Sequence, residues 1–158
     1  MPRITPNLWF DDQSLDAAEF YTSIFPNSKV TEVTYYGKDA PRPEGTVLTV
    51  NFLLDGQEIT AINGGPMFTF SEAISLLINC ADQAEIDHYW NSLTADGGEE
   101  SQCGWLKDKF GLSWQVVPAD WAQMMTDPDK DRVERVMQAM FTMRKLDIAA
   151  LEAAAAGG

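Results

Sequence analysis

The chain of 158 residues is long enough for one compact unit, or for two small modules that share a core, but not for two independent domains of usual size. Apolar residues make up 45% of it and include five Trp, which excludes a disordered chain and predicts a well-filled interior or a lined pocket. The 11 basic and 24 acidic residues give a net charge of -13, so nucleic acid and anionic membranes are not expected partners.

The first part of the chain shows the order strand, helix, strand, strand, strand. Apolar and aromatic residues predict a strand from Ile4 to Phe10, and the polar segment Asp11 to Ser14 predicts the N-cap of a helix that ends before Pro26. Three further strands are predicted at residues 29–36, 46–54 and 57–62, the last two joined by a hairpin turn. We therefore place a first module at about residues 4–63 and a linker at residues 64–72.

The same order of elements repeats after the linker, at about residues 73–118. A strand is predicted at residues 74–80, a helix capped by Asp82 at residues 83–95, and three strands near residues 99–102, 103–107 and 112–117. Each predicted helix carries an aromatic pair late in its sequence, Phe20-Tyr21 and Tyr89-Trp90. We interpret the two modules as a duplication within a single domain of residues 1–158.

Residues 119–156 are predicted to form C-terminal helices, because the pattern becomes helical after Pro118. The longest of these helices carries an apolar stripe at helical spacing, formed by Val133, Val136, Met137, Met140 and Phe141. We expect this stripe to pack in the core or against a second copy of the chain, and a groove for a ligand or partner is the alternative.

No segment approaches the roughly 18 consecutive apolar residues of a membrane span, and residues 1–5 lack the apolar core of a signal peptide. Cys80 and Cys103 are too few for a disulfide framework and lack the Cys-x-x-Cys spacing of a zinc or redox site. The sequence therefore predicts a cytoplasmic protein with reduced thiols and no membrane partner. The single histidine, His88, is expected on the outer surface of its helix.

Three segments of the sequence carry a resemblance to a known family. They are Asn63-Gly64-Gly65-Pro66-x-Phe68-x-Phe70-Ser71-x-Ala73-x-Ser75, Asp87-x-Tyr89-Trp90, and the run from Cys103 to Gln115, CGWLKDKFGLSWQ. Together with the repeated modules, they resemble the vicinal-oxygen-chelate superfamily of glyoxalases, extradiol dioxygenases and bleomycin-binding proteins. Within it, the resemblance is to the PhnB-like family, commonly labelled 3-demethylubiquinone-9 3-methyltransferase.

The resemblance implies an α+β, glyoxalase-like fold, in which two βαβββ modules form a curved mixed sheet around a cleft and the C-terminal helices follow. It also implies that a small-molecule ligand binds inside the sheet. A second copy of the chain often completes the cleft in such proteins, so a homodimer is expected. In metal-using relatives, His, Gln and Glu side chains from the first and last strands of each module hold the ion.

The positions that match those ligands carry neutral side chains in this chain. Gln115 and Thr60 stand four residues after the glycine of the final hairpin of each module, where relatives commonly carry a ligand Glu. On the first strands, Ser75 and one of residues 5–7 stand where relatives often have His. We therefore expect neither a metal site nor a cofactor. If the assumed alternation of inward and outward side chains along this strand is wrong by one residue, the carboxylate of Glu58 points into the cleft.

The segment from Gln102 to Gln115 has an unusual set of side chains. In an extended strand, Cys103, Trp105 and Lys107 lie on one face. One interpretation is structural, with a buried thiol, a core indole and an amine that reaches solvent. The other is functional: Lys107 activates the Cys103 thiol or binds an anionic substrate, while Trp105 and Trp114 stack on a planar ring.

Polar residues in otherwise apolar strands also predict a site, because a buried amide or hydroxyl needs a partner from the protein or from a ligand. We predict a ligand-binding set of Asn63, Ser75, Trp105, Trp114 and Gln115, and candidate catalytic residues Cys103, Lys107 and Gln115. No methyl-donor-binding motif supports the methyltransferase label, because the glycine pair Gly64-Gly65 runs into Pro66 instead of opening a helix.

Our first hypothesis is a protein that binds a small organic molecule in an aromatic cleft without the usual metal site. One alternative is a metal-independent enzyme that acts on a quinone-like or phosphonate-like substrate. The other is a dimeric interaction module without a ligand. The sequence leaves open whether any reaction is catalysed.

Overall fold

A computed structural model describes residues 3–157, and Met1, Pro2 and Gly158, which belong to the predicted domain, lie outside the described residues. The chain divides into two compact units, Met1–Phe70 and Ser71–Gly158, so the boundary falls within the predicted linker. None of the helices in residues 3–157 has the length and apolar composition that crossing a membrane requires.

The first unit is a four-stranded sheet with one helix. Its elements are β1 (Asn7–Phe10), α1 (Ser14–Ile24), β2 (Lys29–Tyr35), β3 (Val47–Leu54) and β4 (Gln57–Asn63). The strand order is β1-β4-β3-β2, with β1 parallel to β4 and the other pairs antiparallel. The helix buries Ala17, Ala18 and Tyr21, and it packs mainly on β3. Strand β1 begins at Asn7 instead of Ile4, after Pro6, which has no N–H to pair.

The start of α1 differs from the prediction. The helix begins at Ser14, and its N-cap residue Gln13 makes no side-chain cap hydrogen bond. Instead, the backbone N–H of Ser14 donates to Oδ1 of Asn63, at the end of β4, across 2.9 Å. A residue 49 positions away therefore satisfies a helix terminus that the local polar segment was expected to cap.

The second unit repeats this topology. Its strands are β5 (Leu76–Cys80), β6 (Glu99–Glu100), β7 (Trp105–Lys107) and β8 (Ser113–Pro118). Helix α2 (Gln83–Thr94) and a short 3-10 turn (Ala95–Gly97) lie between β5 and β6 in the sequence. The strand order is β5-β8-β7-β6, with β5 parallel to β8. Asp82 caps α2 as predicted, by accepting from the N–H of Glu85. The equal strand orders confirm the predicted α+β class and the pair of βαβββ modules.

The predicted strand at residues 103–107 is shorter than expected, and Cys103 does not belong to it. Cys103 has φ of 59° and lies in a turn, so it does not alternate with Trp105 and Lys107 along an extended strand. The N–H groups of Cys103 and Gly104 donate to the carbonyls of Met143 and Arg144 at 2.9 and 2.8 Å. These bonds to the C-terminal segment replace strand pairing and impose the turn.

The C-terminal part forms α3 (Trp121–Met125), α4 (Lys130–Phe141) and α5 (Ile148–Ala155). Val136 of the predicted stripe is buried in a cluster with Val117, Leu146 and Leu151, and Met140 packs against this cluster. This confirms core packing for one side of the stripe. The other side is open, because Phe141 is 53% exposed.

Candidate functional site

The second unit contains a pocket of about 530 Å³, which lies along β6 and β7. Three residues singled out by the sequence line it together, namely Cys103, Trp105 and Lys107, and so does Ser113. We call it the Trp105 pocket. Its size falls within the range of about 300 to 1,000 Å³ that is typical of small-molecule sites.

The register of β7 against β8 explains which side chains reach this pocket. Trp105 lies opposite Gln115, and Lys107 lies opposite Ser113, so all four side chains belong to one face of the sheet. Trp114 falls on the other face, is only 2% exposed, and donates its indole N–H to Oδ2 of Asp108 across 2.8 Å. The structure therefore separates Trp114 from Trp105, and the two indoles do not stack on one ligand ring.

Gln115 and Ser75, which the sequence predicted as site residues, are in contact with each other. Nε2 of Gln115 donates to Oγ of Ser75 across 2.9 Å, and both residues are half-buried. Ser75 immediately precedes β5, the strand beside β8. This pair adjoins Trp105 in the sheet register, next to the pocket-lining residues.

Asn63, the remaining predicted ligand residue, lies in the first unit and has a structural role there. It is 4% exposed, its Oδ1 accepts from Ser14, and its Nδ2 donates to the carbonyl of Val47 across 3.2 Å. The amide is thus engaged at both ends by the protein's own backbone. His88 is exposed on α2, as predicted.

The charged groups of the Trp105 pocket are mostly acidic. Lys107 forms an ion pair with Glu72, and the hydrogen bond between them lowers the pKa of Glu72 and raises the pKa of Lys107. Glu99 lies opposite Lys107 in the register and adds to the field that raises this pKa. One interpretation of the sequence assigned the ammonium group of Lys107 to an anionic substrate. In the structure this group is already paired with the carboxylate of Glu72.

Ser113 is a pocket residue that the sequence reasoning missed. It is 1% exposed, and its Oγ has no hydrogen-bond partner among residues 3–157. A buried hydroxyl without a partner costs about 1 to 3 kcal/mol, so such groups are rare in folded proteins. The feature of the sequence that could have identified Ser113 is a small polar residue at the start of a strand that is otherwise mostly apolar.

The residues at the positions of the superfamily's metal ligands do not fit a metal ion. Within the described part of the chain, no three His, Cys, Asp or Glu side chains come together to hold one. Gln115 donates to Ser75, and Thr60 donates its hydroxyl to Oδ1 of Asn51 across 2.9 Å, so these two donors have partners within the protein. Glu58 does share a pocket of about 300 Å³ with Thr60 in the first unit, where it is the single carboxylate.

The sequence model of the 3-demethylubiquinone-9 3-methyltransferase family matches residues 2–117 of the chain. A solved structure from Bacillus cereus, described as a PhnB protein and 3-demethylubiquinone-9 3-methyltransferase, is 35% identical, with a TM-score of 0.69. The alignment covers 75% of this chain and 100% of that one. No curated protein sequence matches the chain.

Two more distant structures show the fold alone. One is a Pseudomonas aeruginosa protein, 20% identical with a TM-score of 0.60, whose alignment covers 73% of this chain and 96% of its own. The other is the fosfomycin resistance protein FosX of Listeria monocytogenes, in complex with Mn(II) and sulfate. It is 16% identical with a TM-score of 0.53, and the alignment covers 78% of this chain and 94% of its own. The comparisons confirm both the predicted resemblance and the glyoxalase-like fold.

Proposed function

This chain belongs to the 3-demethylubiquinone-9 3-methyltransferase family, and we propose that it binds a small organic molecule in the Trp105 pocket. The proposal concerns binding by the second unit without a bound metal ion. The family's label describes a methyl transfer, which the fold of this chain does not favour.

The observation that carries the proposal is Ser113. Its hydroxyl is buried, has no partner within residues 3–157, and belongs to a residue that lines the same pocket as the half-buried indole of Trp105. A buried polar group without a partner is costly, so a ligand that displaces the side chains covering Oγ of Ser113 and bonds to this atom removes the cost. The indole beside it offers a flat apolar surface, which suits a planar ligand.

Two observations speak against methyl-donor binding of the usual kind. Methyl-donor sites are typically built on a parallel sheet with a glycine-rich turn after its first strand. In the described residues, each sheet has a single parallel pair of strands, β1 with β4 and β5 with β8. The glycine pair after β4 has a packing role instead, since a Cβ on Gly64 would lie 2.3 Å from the ring of Trp9.

The test uses a neutral planar probe, 2-naphthylmethanol, titrated into the full chain while the indole N–H resonances are followed by NMR. We expect the Trp105 resonance to shift most, and Trp105→Leu to weaken binding by about 10-fold or more, because the stacking surface is lost. Trp121→Leu is the matched control, since Trp121 is half-buried in the same unit but lies outside the pocket.

A second pair of variants isolates the hydroxyl. Ser113 and Ser14 are both buried serines whose Oγ lacks a partner within residues 3–157, and only Ser113 lines the pocket. Both Ser→Ala variants should unfold at the same or a higher urea concentration than the parent chain, because no hydrogen bond is lost. Only Ser113→Ala should weaken probe binding, by about 3- to 10-fold. Binding that is equal in Trp105→Leu and the parent chain would overturn the proposed function.

A further inference from the structure

We infer that the ligand of the Trp105 pocket is an organic cation, whose protonated nitrogen lies between the carboxylate of Glu99 and the ring of Trp105. This inference rests on the proposed function and names the class of molecule that the site takes. Three observations carry it, namely the charges that line the pocket, the half-buried indole, and the free hydroxyl of Ser113.

The lining charges consist of three carboxylates and one ammonium group. Glu72 is paired with Lys107. Glu100 accepts from the indole N–H of Trp90 across 2.7 Å and lies 3.8 Å from Arg144. Glu99 lies opposite Lys107 in the register and acts on it electrostatically, but among residues 3–157 its side chain has no ion pair within 4.0 Å and no hydrogen bond. Because Lys107 is already paired with Glu72, Glu99 leaves this part of the pocket with a net negative charge that attracts a cation.

The second observation is the position of an aromatic ring in the same pocket. The face of an indole attracts a positive charge, more strongly than any other side-chain ring does, and the attraction increases where water is excluded. Trp105 is half-buried and lines the pocket together with Glu99. A ring face and a carboxylate in one cavity both attract a cation, and both repel an anion.

The third observation concerns hydrogen bonding. The hydroxyl oxygen of Ser113 can accept a hydrogen bond as well as donate one, so it can bind an N–H group of the ligand. The net charge of the chain, -13, adds a long-range field that concentrates cations near the surface and repels anions. This field would repel a phosphonate-like ligand, which would also have to displace Glu72 from Lys107.

The experiment compares three probes that share one ring system: 2-naphthylmethylammonium, 2-naphthylmethanol and 2-naphthoate. We expect the ammonium to bind about 10-fold more tightly than the alcohol, and the carboxylate to bind most weakly. Glu99→Gln should weaken binding of the ammonium by about 3- to 10-fold and leave the alcohol within about 2-fold. Glu134→Gln, an exposed position on α4, is the control that makes the same change in net charge.

The outcomes separate this inference from the proposed function. If the alcohol binds as tightly as the ammonium, or the carboxylate binds best, and each binding depends on Trp105, then the ligand is not a cation while the pocket still binds small molecules. An effect of Glu134→Gln equal to that of Glu99→Gln also overturns the inference, because the preference then reflects total charge. If no probe binds in a manner that depends on Trp105, the proposed function fails, and the inference fails with it.

Discussion

The side-chain amide of Gln115 donates a hydrogen bond to the hydroxyl oxygen of Ser75 across 2.9 Å. This bond joins β8 to the residue before β5, in the part of the second unit that adjoins the Trp105 pocket. It fixes the orientation of the Gln115 amide, whose nitrogen is directed at Ser75. Gln115 therefore contributes to the arrangement of the sheet beside the pocket.

The Gln115–Ser75 bond should contribute measurably to stability. Ser75→Ala leaves the half-buried amide nitrogen of Gln115 without this partner, and we expect a loss of about 0.5 to 1.5 kcal/mol in the free energy of unfolding in urea. Ser75→Thr keeps a hydroxyl at the same position and should recover most of the loss. Equal stability of Ser75→Ala and the parent chain would show that the bond contributes nothing.

Manganese should not stabilise the chain. A metal site at 100 times its dissociation constant adds about 2.7 kcal/mol, which would raise Tm by roughly 5 to 10 °C in a chain of this size. Because the matching positions carry neutral side chains, with Gln115 bonded to Ser75 and Thr60 bonded to Asn51, we expect a change in Tm below about 1 °C with excess Mn²⁺. A saturable rise at one ion per chain, reversed by a chelator, would contradict this prediction.

Asp108 should be among the most important polar residues of the second unit. Its Oδ1 accepts from the N–H groups of Phe110 and Leu112 at 2.8 and 3.1 Å, and its Oδ2 accepts from Trp114. Asp108→Asn replaces one acceptor oxygen by an NH2 group that faces a donor, so the free energy of unfolding should fall by about 2 to 3 kcal/mol. The exposed Asp12→Asn should change it by less than about 0.5 kcal/mol.

Cys80 should make the stability of the chain depend on pH in the alkaline range. Burial raises the pKa of its thiol from 9.0 to about 12, and the carboxylates of Glu85 and Asp82 add to the effect. Between these values the folded chain keeps a proton that the unfolded chain loses. The free energy of unfolding therefore falls as pH rises above about 9, by at most about 1.4 kcal/mol per pH unit.

The contribution of Cys80 is measured by comparing urea unfolding of variants at several pH values between about 8 and 11. Other groups titrate in the same range, so the relevant quantity is the difference in the free energy of unfolding between the parent chain and Cys80→Ala. This difference should become smaller as pH rises, because only the parent chain has the thiol whose ionisation favours the unfolded state. A difference that stays constant across this pH range would contradict the assignment.

Local sequence patterns were sufficient to predict most helices and strands. The alternation of buried residues in β3 and β4 and the N-cap chemistry of Asp82 depend on residues within one element, so they can be identified without the fold. The resemblance to a known family then supplied the arrangement of the two modules. The alternation of side chains along a strand also placed Trp105 and Lys107 on one face, and both residues line the pocket.

What the sequence determined by itself is the class of fold, the repeat of two modules, and the neutral residues at the positions of the superfamily's ligands. Only the tertiary structure decided the state of individual side chains. The turn at Cys103 follows from bonds to a segment 40 residues later, and the isolation of the Ser113 hydroxyl follows from what surrounds it. Periodicity reports the face on which a side chain lies, whereas its partners depend on contacts between residues far apart in the chain, which no local pattern encodes.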